Sequence, residues 1–451
     1  MVGYVQGKSA TRRGILLAGA ATGASGILAA ACASGGAGGE PAGLNALKGP
    51  VDVLLWDRHE TGYDAFANHW VPMFNQKFNG KIKLTWESRT AEWETKMPTA
   101  VVAGTPPDLA AVFGVAFRNM QESKQLIALD TFIKSSSFDA NDFVTGIYKS
   151  MNFGGNQVGL PQYINTNTVY YNKDTFKKLG VPFPTESWTQ DQFLDMATKL
   201  SRGPSTAREV WGLDFPMDSI TTRVISMVWG AGAQYNDPKT PDVFTINTQP
   251  NNRALQWAHD IFWKHRVAAK TNADRGGVDR NTGIFVNGNV AMMVEGTHLI
   301  GEWKSKAQAD WDVAPLPKGP GGRGERLSMD GYIIPAGVKN QDASWVVMQE
   351  ATGKEANKMR AEMLGYVPAR KSQFESWTKS MPDKTLKNAQ VSDEARVDPG
   401  STWPKARDLT AAVNPIWRQL FVDNSINVSD ALKQMQDAVV GVLGATAVKA
   451  G

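Results

Sequence analysis

The order of strand-like and helix-like segments is the feature that most constrains the fold of this 451-residue chain. Residues 51–56 form an apolar run typical of a buried strand, residues 64–78 place aromatic side chains at helical spacing, and residues 81–87 alternate in polarity. A helical segment over 92–103 then precedes another apolar run at 108–113. Strands that alternate with helices predict βαβ units and a mostly parallel sheet. We therefore expect an α/β protein whose ligand site lies beyond the carboxyl ends of the strands.

The middle of the chain repeats this alternation. Residues 168–171 and 290–294 have the apolar character of buried strands. Thr189 and Gln192 stand in the positions of a capping box, which predicts that a helix begins there. Residues 319–324 are rich in glycine and are expected to form an exposed loop.

Composition and charge exclude several classes of protein. Hydrophobic residues make up 42% of the chain and charged residues 20%, values typical of a globular protein with a sizeable core. The length predicts two or three domains. The formal net charge of +4 is small and the basic residues are spread along the chain, so nucleic-acid binding is not expected. The five histidines show no metal-ligand spacing, and we expect neither a metal nor another cofactor.

The N-terminus has the layout of a secretory signal. Lys8, Arg12 and Arg13 form a basic opening, and an apolar stretch over residues 14–31 follows. We interpret residues 1–31 as a signal peptide, in which the arginine pair resembles a twin-arginine export signal. A membrane-spanning anchor is the alternative, and it is disfavoured because the stretch is short and rich in glycine and alanine.

Cys32 is the only cysteine and cannot form an internal disulfide. Its position directly after the apolar stretch is that of the lipid-attachment cysteine of bacterial lipoproteins. Residues 32–49 are glycine-rich and predict a flexible linker, so the folded part is expected to begin at Pro50. These features predict an exported protein that a lipid anchor holds at the cell envelope, on the outer face of the cytoplasmic membrane or in the periplasm.

Four stretches of the body carry a family resemblance. Residues 171–182, Tyr-Asn-Lys-Asp-Thr-Phe-Lys-Lys-Leu-Gly-Val-Pro, and the Trp-Thr-Gln-Asp-Gln-Phe segment at 188–193 closely resemble the signature of family 1 extracellular solute-binding proteins of ABC importers. Phe-Val-Asn-Gly-Asn-Val-Ala-Met at 285–292 and Gly-Tyr-Val-Pro-Ala-Arg at 365–370 resemble the same family. The order and spacing of these stretches fit that family from Val51 to the C-terminus.

The resemblance implies an α/β, two-lobed periplasmic-binding-protein fold of type II, with a central ligand cleft and several hinge crossings. Ligand binding would close the lobes by a hinge motion, and the importer would read the closed state. The crossings are expected near residues 163–168, 285–290 and 332–336. The first lobe would comprise residues 50–164 with 290–333, and the second lobe residues 165–289 with 334–451.

Residue types that suit a sugar occur at strand ends and near the expected crossings. An indole stacks on the apolar face of a pyranose, while acidic, amide and arginine side chains bond its hydroxyl groups. In the family that the chain resembles, the positions of Gly296, of residues 330–332 and of Arg370 commonly line the cleft. Arg370 is the strongest polar candidate because its planar guanidinium suits paired oxygens, with a structural ion pair as the alternative. The candidate ligand-binding residues are Trp56, His59, Glu60, Glu87, Phe113, Tyr163, Asn165, Trp229, Gly230, Glu295, Gly296, Asp330, Gly331, Tyr332, Tyr366, Arg370 and Trp403.

The function expected from this resemblance is that of the substrate-binding component of an ABC importer, which binds a mono- or oligosaccharide between its lobes and delivers it to the permease subunits. A glycerol-phosphate or glycerophosphodiester ligand is the alternative within the class, with Arg370 and the helix start at residues 61–64 binding the phosphate. A secreted glycoside hydrolase with two catalytic carboxylates is a remote alternative, and a scaffold lipoprotein would bind no small molecule. We expect a monomer without enzymatic activity, whose partners are the sugar, the permease and the membrane.

Overall fold

Residues 43–58, 63–89, 93–204, 209–214, 220, 223–237, 240–270, 289–307, 309–392 and 395–449 are described by a computed structural model. They belong to one compact unit, Pro41–Gly451. The predicted signal peptide and Cys32 lie outside the described residues. Within these ranges, no helix has both the length and the apolar character that crossing a bilayer requires.

The described strands form two main sheets and two short hairpins. In chain order they are β1 Val51–Arg58, β2 Ile82–Arg89, β3 Leu109–Phe113, β4 Asn152–Phe153, β5 Asn156–Gln157, β6 Leu160–Pro161, β7 Tyr163–Asn172, β8 Trp211–Asp214, β9 Asn236–Asp237, β10 Thr240–Phe244, β11 Ala268–Ala269, β12 Val290–Gly296, β13 Trp311–Ala314, β14 Arg326–Ser328, β15 Asp330–Ile333, β16 Val367–Pro368 and β17 Arg396–Val397.

Helices cover both sheets. They are α1 Tyr63–Lys77, α2 Trp93–Val102, α3 Gly114–Glu122, α4 Asp130–Ser135, α5 Thr145–Ser150, α6 Lys173–Leu179, α7 Gln190–Leu200, α8 Arg223–Gly230, α9 Gln249–Trp263, α10 Leu299–Lys306, α11 Gln341–Ala351, α12 Lys354–Leu364, α13 Phe374–Lys379, α14 Pro399–Thr402, α15 Ala406–Phe421 and α16 Val428–Leu443. Single 3-10 turns lie at Leu44–Ala46, Lys371–Gln373, Leu386–Ala389 and Ala445–Ala447.

The first sheet contains the predicted βαβ units. β1 runs parallel to β2 and β3, β15 is antiparallel to β3, and the order is β2-β1-β3-β15-β6. α1 covers this sheet because Phe66, Trp70 and Phe74 recur at helical spacing and are all buried. They belong to the hydrophobic core of the first lobe, together with Trp345 of α11. The α/β prediction for residues 51–113 is therefore confirmed.

β7 is the central strand of the second sheet, whose order is β11-β8-β12-β7-β14-β17. β12 pairs with one edge of β7, and β13 and β14 pair with the other. Side chains along β7 alternate between two cores, as the period of a strand requires. Val169 and Tyr171 enter the core of the second lobe, whereas Ile164 and Tyr170 enter a cluster that also contains Val112 of the first sheet.

Within the described residues, three crossings connect the two sheets. The chain passes from β6 to β7 at Gln162 and returns from β14 to β15 at Met329. It passes a third time from α12, whose buried residues Ala356 and Leu364 lie in the first-lobe core, to β16, which pairs with β7. Gly365 and Tyr366 form this third connection. The crossings lie close together because they flank the first residues of β7 and the start of β15.

The predicted crossings agree with these positions only in part. The one expected at 163–168 begins one residue after the observed first crossing, and the one expected at 332–336 lies a few residues after the second. The described residues show no crossing near 285–290, since β12 begins at Val290 in the second sheet and β11 lies in the same sheet. Residues 285–288 themselves lie outside the described residues.

Strand pairing also corrects the predicted lobe boundaries. The segment 290–333 was expected in the first lobe, but β12, β13 and β14 all pair within the second sheet, and only β15 pairs within the first. The helices α11 and α12 contribute buried residues to the first-lobe core, although 334–451 was expected in the second lobe. A local pattern identifies a strand without identifying its partner, so the boundaries could not be read from periodicity.

Local helix signals are confirmed around the family-like motif. The side chain of Asn172 accepts a hydrogen bond from the backbone N–H of Thr175 at the start of α6, and Gly180 ends that helix with a φ of 67°. Thr189 and Gln192 form both hydrogen bonds of the predicted capping box, so α7 begins where expected.

A glycine contact joins α10 to the end of α12. A Cβ atom on Gly301 would overlap the carbonyl oxygen of Leu364, and one on Gly365 would lie 2.6 Å from the backbone nitrogen of Gly301. Gly365 also has a φ of 71°, which disfavours a side chain there. The contact is close because neither glycine places a side chain between the two helices.

We predict that Gly301→Ala lowers the free energy of unfolding by about 1–3 kcal/mol, because the added methyl group must displace backbone. Gly441→Ala in α16 is the matched control, since no atom lies within 4 Å of its Cβ position. That substitution should raise stability by about 0.5–1 kcal/mol through helix propensity. Urea denaturation of both variants tests the contact, and equal stabilities for the two would contradict it.

Candidate functional site

Three of the predicted contacts lie together at the carboxyl edge of the first sheet. Trp56 in β1 is the parallel partner of Glu87 in β2, so both side chains leave the same face of the sheet, and both are partly exposed. Phe113 ends β3, is also partly exposed, and pairs with Asp330 of β15. This edge therefore presents an indole, a carboxylate and a phenyl ring where the strand-end rule predicts a ligand.

Asn165 occupies the corresponding place in the second lobe. It is partly exposed, whereas every other residue of β7 is buried. It pairs with Ser328 of β14, next to the second crossing. Its Oδ1 lies 3.4 Å from Nδ1 of His298, which is also partly exposed and directly precedes α10. An amide and an imidazole thus form a polar pair beside the crossings where the two sheets meet.

Gly296 allows this pair to form. A Cβ atom there would lie 2.5 Å from Nδ1 of His298 and 2.8 Å from Oδ1 of Asn165, so any other residue would separate the two side chains. Thr297 holds the segment that contains Gly296 and His298 against β7. Its backbone N–H donates to the carbonyl oxygen of Thr166 at 2.8 Å, and its hydroxyl accepts from the N–H of Thr166 at 3.2 Å. The position of His298 is therefore set by the hydrogen bonds of Thr297, one from its backbone and one through its hydroxyl.

A buried chain of polar groups supports the first-lobe half of the site. Arg360 of α12 donates from Nη2 to the Tyr332 hydroxyl at 2.9 Å, and that hydroxyl donates to Oδ2 of Asp57 at 2.7 Å. All three residues are buried. Burial raises the pKa of Tyr332 well above its ordinary value, and the Asp57 carboxylate adds to this effect while Arg360 opposes it. This series of hydrogen-bonded side chains holds the end of β1 in place, next to Trp56.

Five predicted contacts at the crossings are instead packed inside the first lobe. Tyr163 and Tyr366 stack with ring centroids 4.4 Å apart. The Tyr163 hydroxyl donates to Oδ1 of Asp330 at 3.4 Å. A Cβ atom on Gly331 would overlap the side chain of Met151. Together with Tyr332, these residues are buried by their protein neighbours, because the chain passes between the sheets at this point.

Trp229 and Gly230 also differ from their predicted role. Gly230 was expected to let a ligand approach the backbone, but its carbonyl oxygen accepts from the N–H of Gly321 at 2.8 Å. The glycine-rich segment 319–324, expected as an exposed loop, packs on the end of α8 so closely that a Cβ atom on Gly324 would overlap backbone. Trp229 is buried beneath it, with the guanidinium of Arg396 over its ring at 5.3 Å.

Arg370 has a structural role in place of the predicted ligand contact. It is buried, and its Nε donates to the carbonyl oxygen of Thr352 at 2.6 Å. Its Nη1 donates to the carbonyl oxygen of Asp139 at 3.0 Å and lies 3.4 Å from Oδ2 of Asp142. The ring of Phe143 lies 4.1 Å from the guanidinium carbon. The sequence left a structural ion pair open as the alternative role of Arg370, and the structure shows that ion pair with Asp142.

Glu295 and Trp403 are buried within the second lobe. Oε1 of Glu295 accepts from the N–H of Gly296 at 2.7 Å, and burial together with this carboxylate raises the pKa of Tyr170 well above its ordinary value. Trp403 packs edge-on against Phe244 at 5.3 Å between ring centroids. Neither side chain offers a surface to a solute in this conformation.

Two predicted contacts, His59 and Glu60, lie outside the described residues. His298 was missed by sequence reasoning, although its position two residues beyond the end of β12 is a signal that the strand-end rule could have used. In the described ranges, no group of three or more histidine, cysteine, aspartate or glutamate side chains is arranged to hold a metal ion.

The ion pair of Arg370 makes stability depend on pH. Burial raises the pKa of Asp142, but hydrogen bonds from Ser372 and the charges of Arg370 and Lys354 outweigh this effect, so the net shift is downward. A carboxyl whose folded pKa is lowered stabilises the fold above its unfolded pKa, and this stability is lost as the pH falls through the folded value.

We therefore expect Asp142→Asn to lower the melting temperature at neutral pH and to lose less further stability than the native chain below about pH 4. Thermal melts from neutral to acidic pH test this. Asp191→Asn, at an exposed position in α7, is the control and should leave the pH profile unchanged. Parallel profiles for the native chain and Asp142→Asn would contradict the assignment.

Comparison with known proteins agrees with this architecture. A family model described as bacterial extracellular solute-binding protein matches residues 58–358. An arabinooligosaccharide-binding protein of Bacillus subtilis is 24% identical over 414 residues, which cover 86% of this chain and 89% of that relative. An arabinooligosaccharide-binding protein of Halalkalibacterium halodurans is 23% identical over 252 residues, covering 55% of this chain and 54% of the relative.

Solved structures show the same two-lobed fold. An ABC substrate-binding protein of Listeria monocytogenes in complex with cycloalternan has a TM-score of 0.76 at 21% identity and covers 87% of this chain and 99% of that one. Maltose-bound MalE3 of T. maritima has a TM-score of 0.72 at 19% identity, with 87% and 100% covered. The chain therefore belongs to the family of bacterial extracellular solute-binding proteins.

Proposed function

We propose that this protein binds a mono- or oligosaccharide between its two lobes and delivers it to the permease of an ABC importer. The observation that carries the proposal is the arrangement of Trp56 and Glu87 at the edge of the first sheet, with Asn165 and His298 beside the crossings in the second. An indole suits the apolar face of a sugar ring. A carboxylate, an amide and an imidazole are partners for its hydroxyl groups.

The names of similar proteins support the same class of ligand. Relatives are named as arabinooligosaccharide-binding proteins, and structural neighbours are described in complex with cycloalternan or maltose. The glycerol-phosphate alternative is weakened, because Arg370, its principal anion-binding candidate, is occupied by Thr352, Asp139 and Asp142. A sugar is therefore the ligand that we propose.

The finer parts of the proposal concern location and assembly. We propose that residues 1–31 direct export by the twin-arginine route, that Cys32 carries the lipid anchor, and that the protein works as a monomer. The glycine-rich linker at 32–49 supports this, because it would let the folded body move above its anchored end. The protein would act as a receptor and release its sugar unchanged.

Trp56→Ala should weaken saccharide binding by about tenfold or more, because stacking on the indole buries apolar surface on both partners. Asn165→Ala should weaken it by about tenfold through a lost hydrogen bond. Isothermal titration with maltotriose and arabinotriose measures both effects, after a thermal-shift screen of saccharides and glycerophosphodiesters identifies the better ligand.

Phe183→Ala is the matched control, since it removes a partly exposed ring outside the proposed site and should leave affinity unchanged. Recovery of the bound sugar as shorter products would favour the hydrolase alternative. Unchanged affinity in both the Trp56 and Asn165 variants would contradict the proposed cleft.

Cys32→Ser should release the protein from the membrane fraction, because the hydroxyl cannot replace the thiol in lipid attachment. Cell fractionation, with mass spectrometry of the mature N-terminus, tests this. Retention of the serine variant in the membrane, with residues 14–31 still attached, would instead support the membrane-spanning alternative.

A further inference from the structure

A second cavity lies within the second lobe. It has a volume of about 700 Å³, and the starts of α7 and α9 and the segment 318–320 form its walls. This volume falls within the range of small-molecule sites. Asn165 and His298 are not among its lining residues, and all of those residues belong to segments of the second lobe. The cavity is therefore separate from the cleft.

Charged groups of both signs line the cavity. Arg253 of α9 and Lys318 contribute positive charge, and Asp191 of α7 contributes a carboxylate. All three side chains are exposed. Within the described part of the chain, none of the three has an ion-pair partner. Their hydrogen-bonding groups are thus available to a polar molecule in the cavity, and they include both donors and acceptors.

An indole completes the wall. Trp257 follows Arg253 by four residues on α9, so both side chains lie on the same side of that helix, and both line the cavity. Trp257 is partly buried, with part of its ring packed against the core of the second lobe. Its indole nitrogen is buried and has no hydrogen-bond acceptor among the described residues, so the ring face is the part that the cavity can use. An aromatic surface and charged groups therefore occur on one wall.

The part of the wall formed by residues 318–320 is held in place by backbone hydrogen bonds. The N–H of Lys318 donates to the carbonyl oxygen of Trp188 at 3.0 Å, and the N–H of Gln190 donates to the carbonyl oxygen of Lys318 at 2.9 Å. Gly319 and Gly322 exchange two further hydrogen bonds, of 2.9 and 3.0 Å. The cavity is thus formed without a ligand, which lowers the entropic cost of binding.

We infer that this cavity is an accessory saccharide-binding site, in which a sugar ring stacks on Trp257 while Arg253, Lys318 and Asp191 bond its hydroxyl groups. The combination of an indole with donors and acceptors favours a sugar over a simple anion, which would need only the two cations. Because one lobe forms the whole site, its occupancy does not require closure of the cleft. The protein would then bind two saccharides at once.

Site-resolved NMR of the full chain labelled with 5-fluorotryptophan tests this inference. The Trp257 resonance is assigned with Trp257→Phe and the Trp56 resonance with Trp56→Phe, and maltotriose, arabinotriose and inorganic phosphate are titrated separately. We expect at least one saccharide to shift the Trp257 resonance. The same shift should occur in the Asn165→Ala variant, because Asn165 does not line the cavity. Arg253→Ala should weaken this binding by about tenfold through loss of a charged hydrogen-bond donor.

Gln256→Ala is the matched control, because its exposed side chain on α9 bonds Asp260 and does not line the cavity. A shift of the Trp56 resonance without a shift of the Trp257 resonance would overturn the accessory site and leave the cleft proposal intact. A Trp257 response to phosphate alone, or one that Arg253→Ala leaves unchanged, would also overturn it. A Trp257 shift alone would support the accessory site and count against the cleft.

Discussion

The pairing of β7 is the constraint on which the rest of the structure depends. This one strand hydrogen-bonds to β12 along one edge and to β13 and β14 along the other, and its first residues also pair with β16. Each of the three crossings involves β7 directly. The first leads from β6 into β7, and the other two begin at β14 or end at β16, which both pair with β7. A strand held on both edges cannot shift its register without breaking several ladders. The position of Asn165 within the second sheet is therefore fixed by backbone geometry.

Two kinds of polar residue follow from this arrangement. Those near the crossings are buried and hydrogen-bonded to protein partners, as in the Arg360–Tyr332–Asp57 series. Those that remain partly exposed, such as Glu87 and Asn165, lie near the ends of their strands. The same distinction applies to the indoles, because Trp403 fills a core while Trp56 stands at an edge.

Strand and helix positions followed from the sequence because periodicity and capping are local properties. The edge formed by Trp56, Glu87 and Phe113 followed as well, since parallel strands bring their carboxyl ends together. The lobe boundaries did not follow, because β12 through β14 could have paired with either sheet. Arg370 and Gly230 were misjudged for a related reason. An arginine or a glycine that packs on distant backbone has the same local sequence as one that contacts a ligand.

The crossings have a consequence for how the chain acquires its structure during synthesis. The first sheet needs β15, whose partner β3 lies more than two hundred residues earlier in the chain. Neither lobe is built from one continuous stretch, so an N-terminal fragment that emerges from the ribosome lacks an inner strand of its own sheet. Such distant pairings slow folding, since loop closure costs entropy before the contacts form. The nascent chain should therefore remain open to chaperones until most of it has been made.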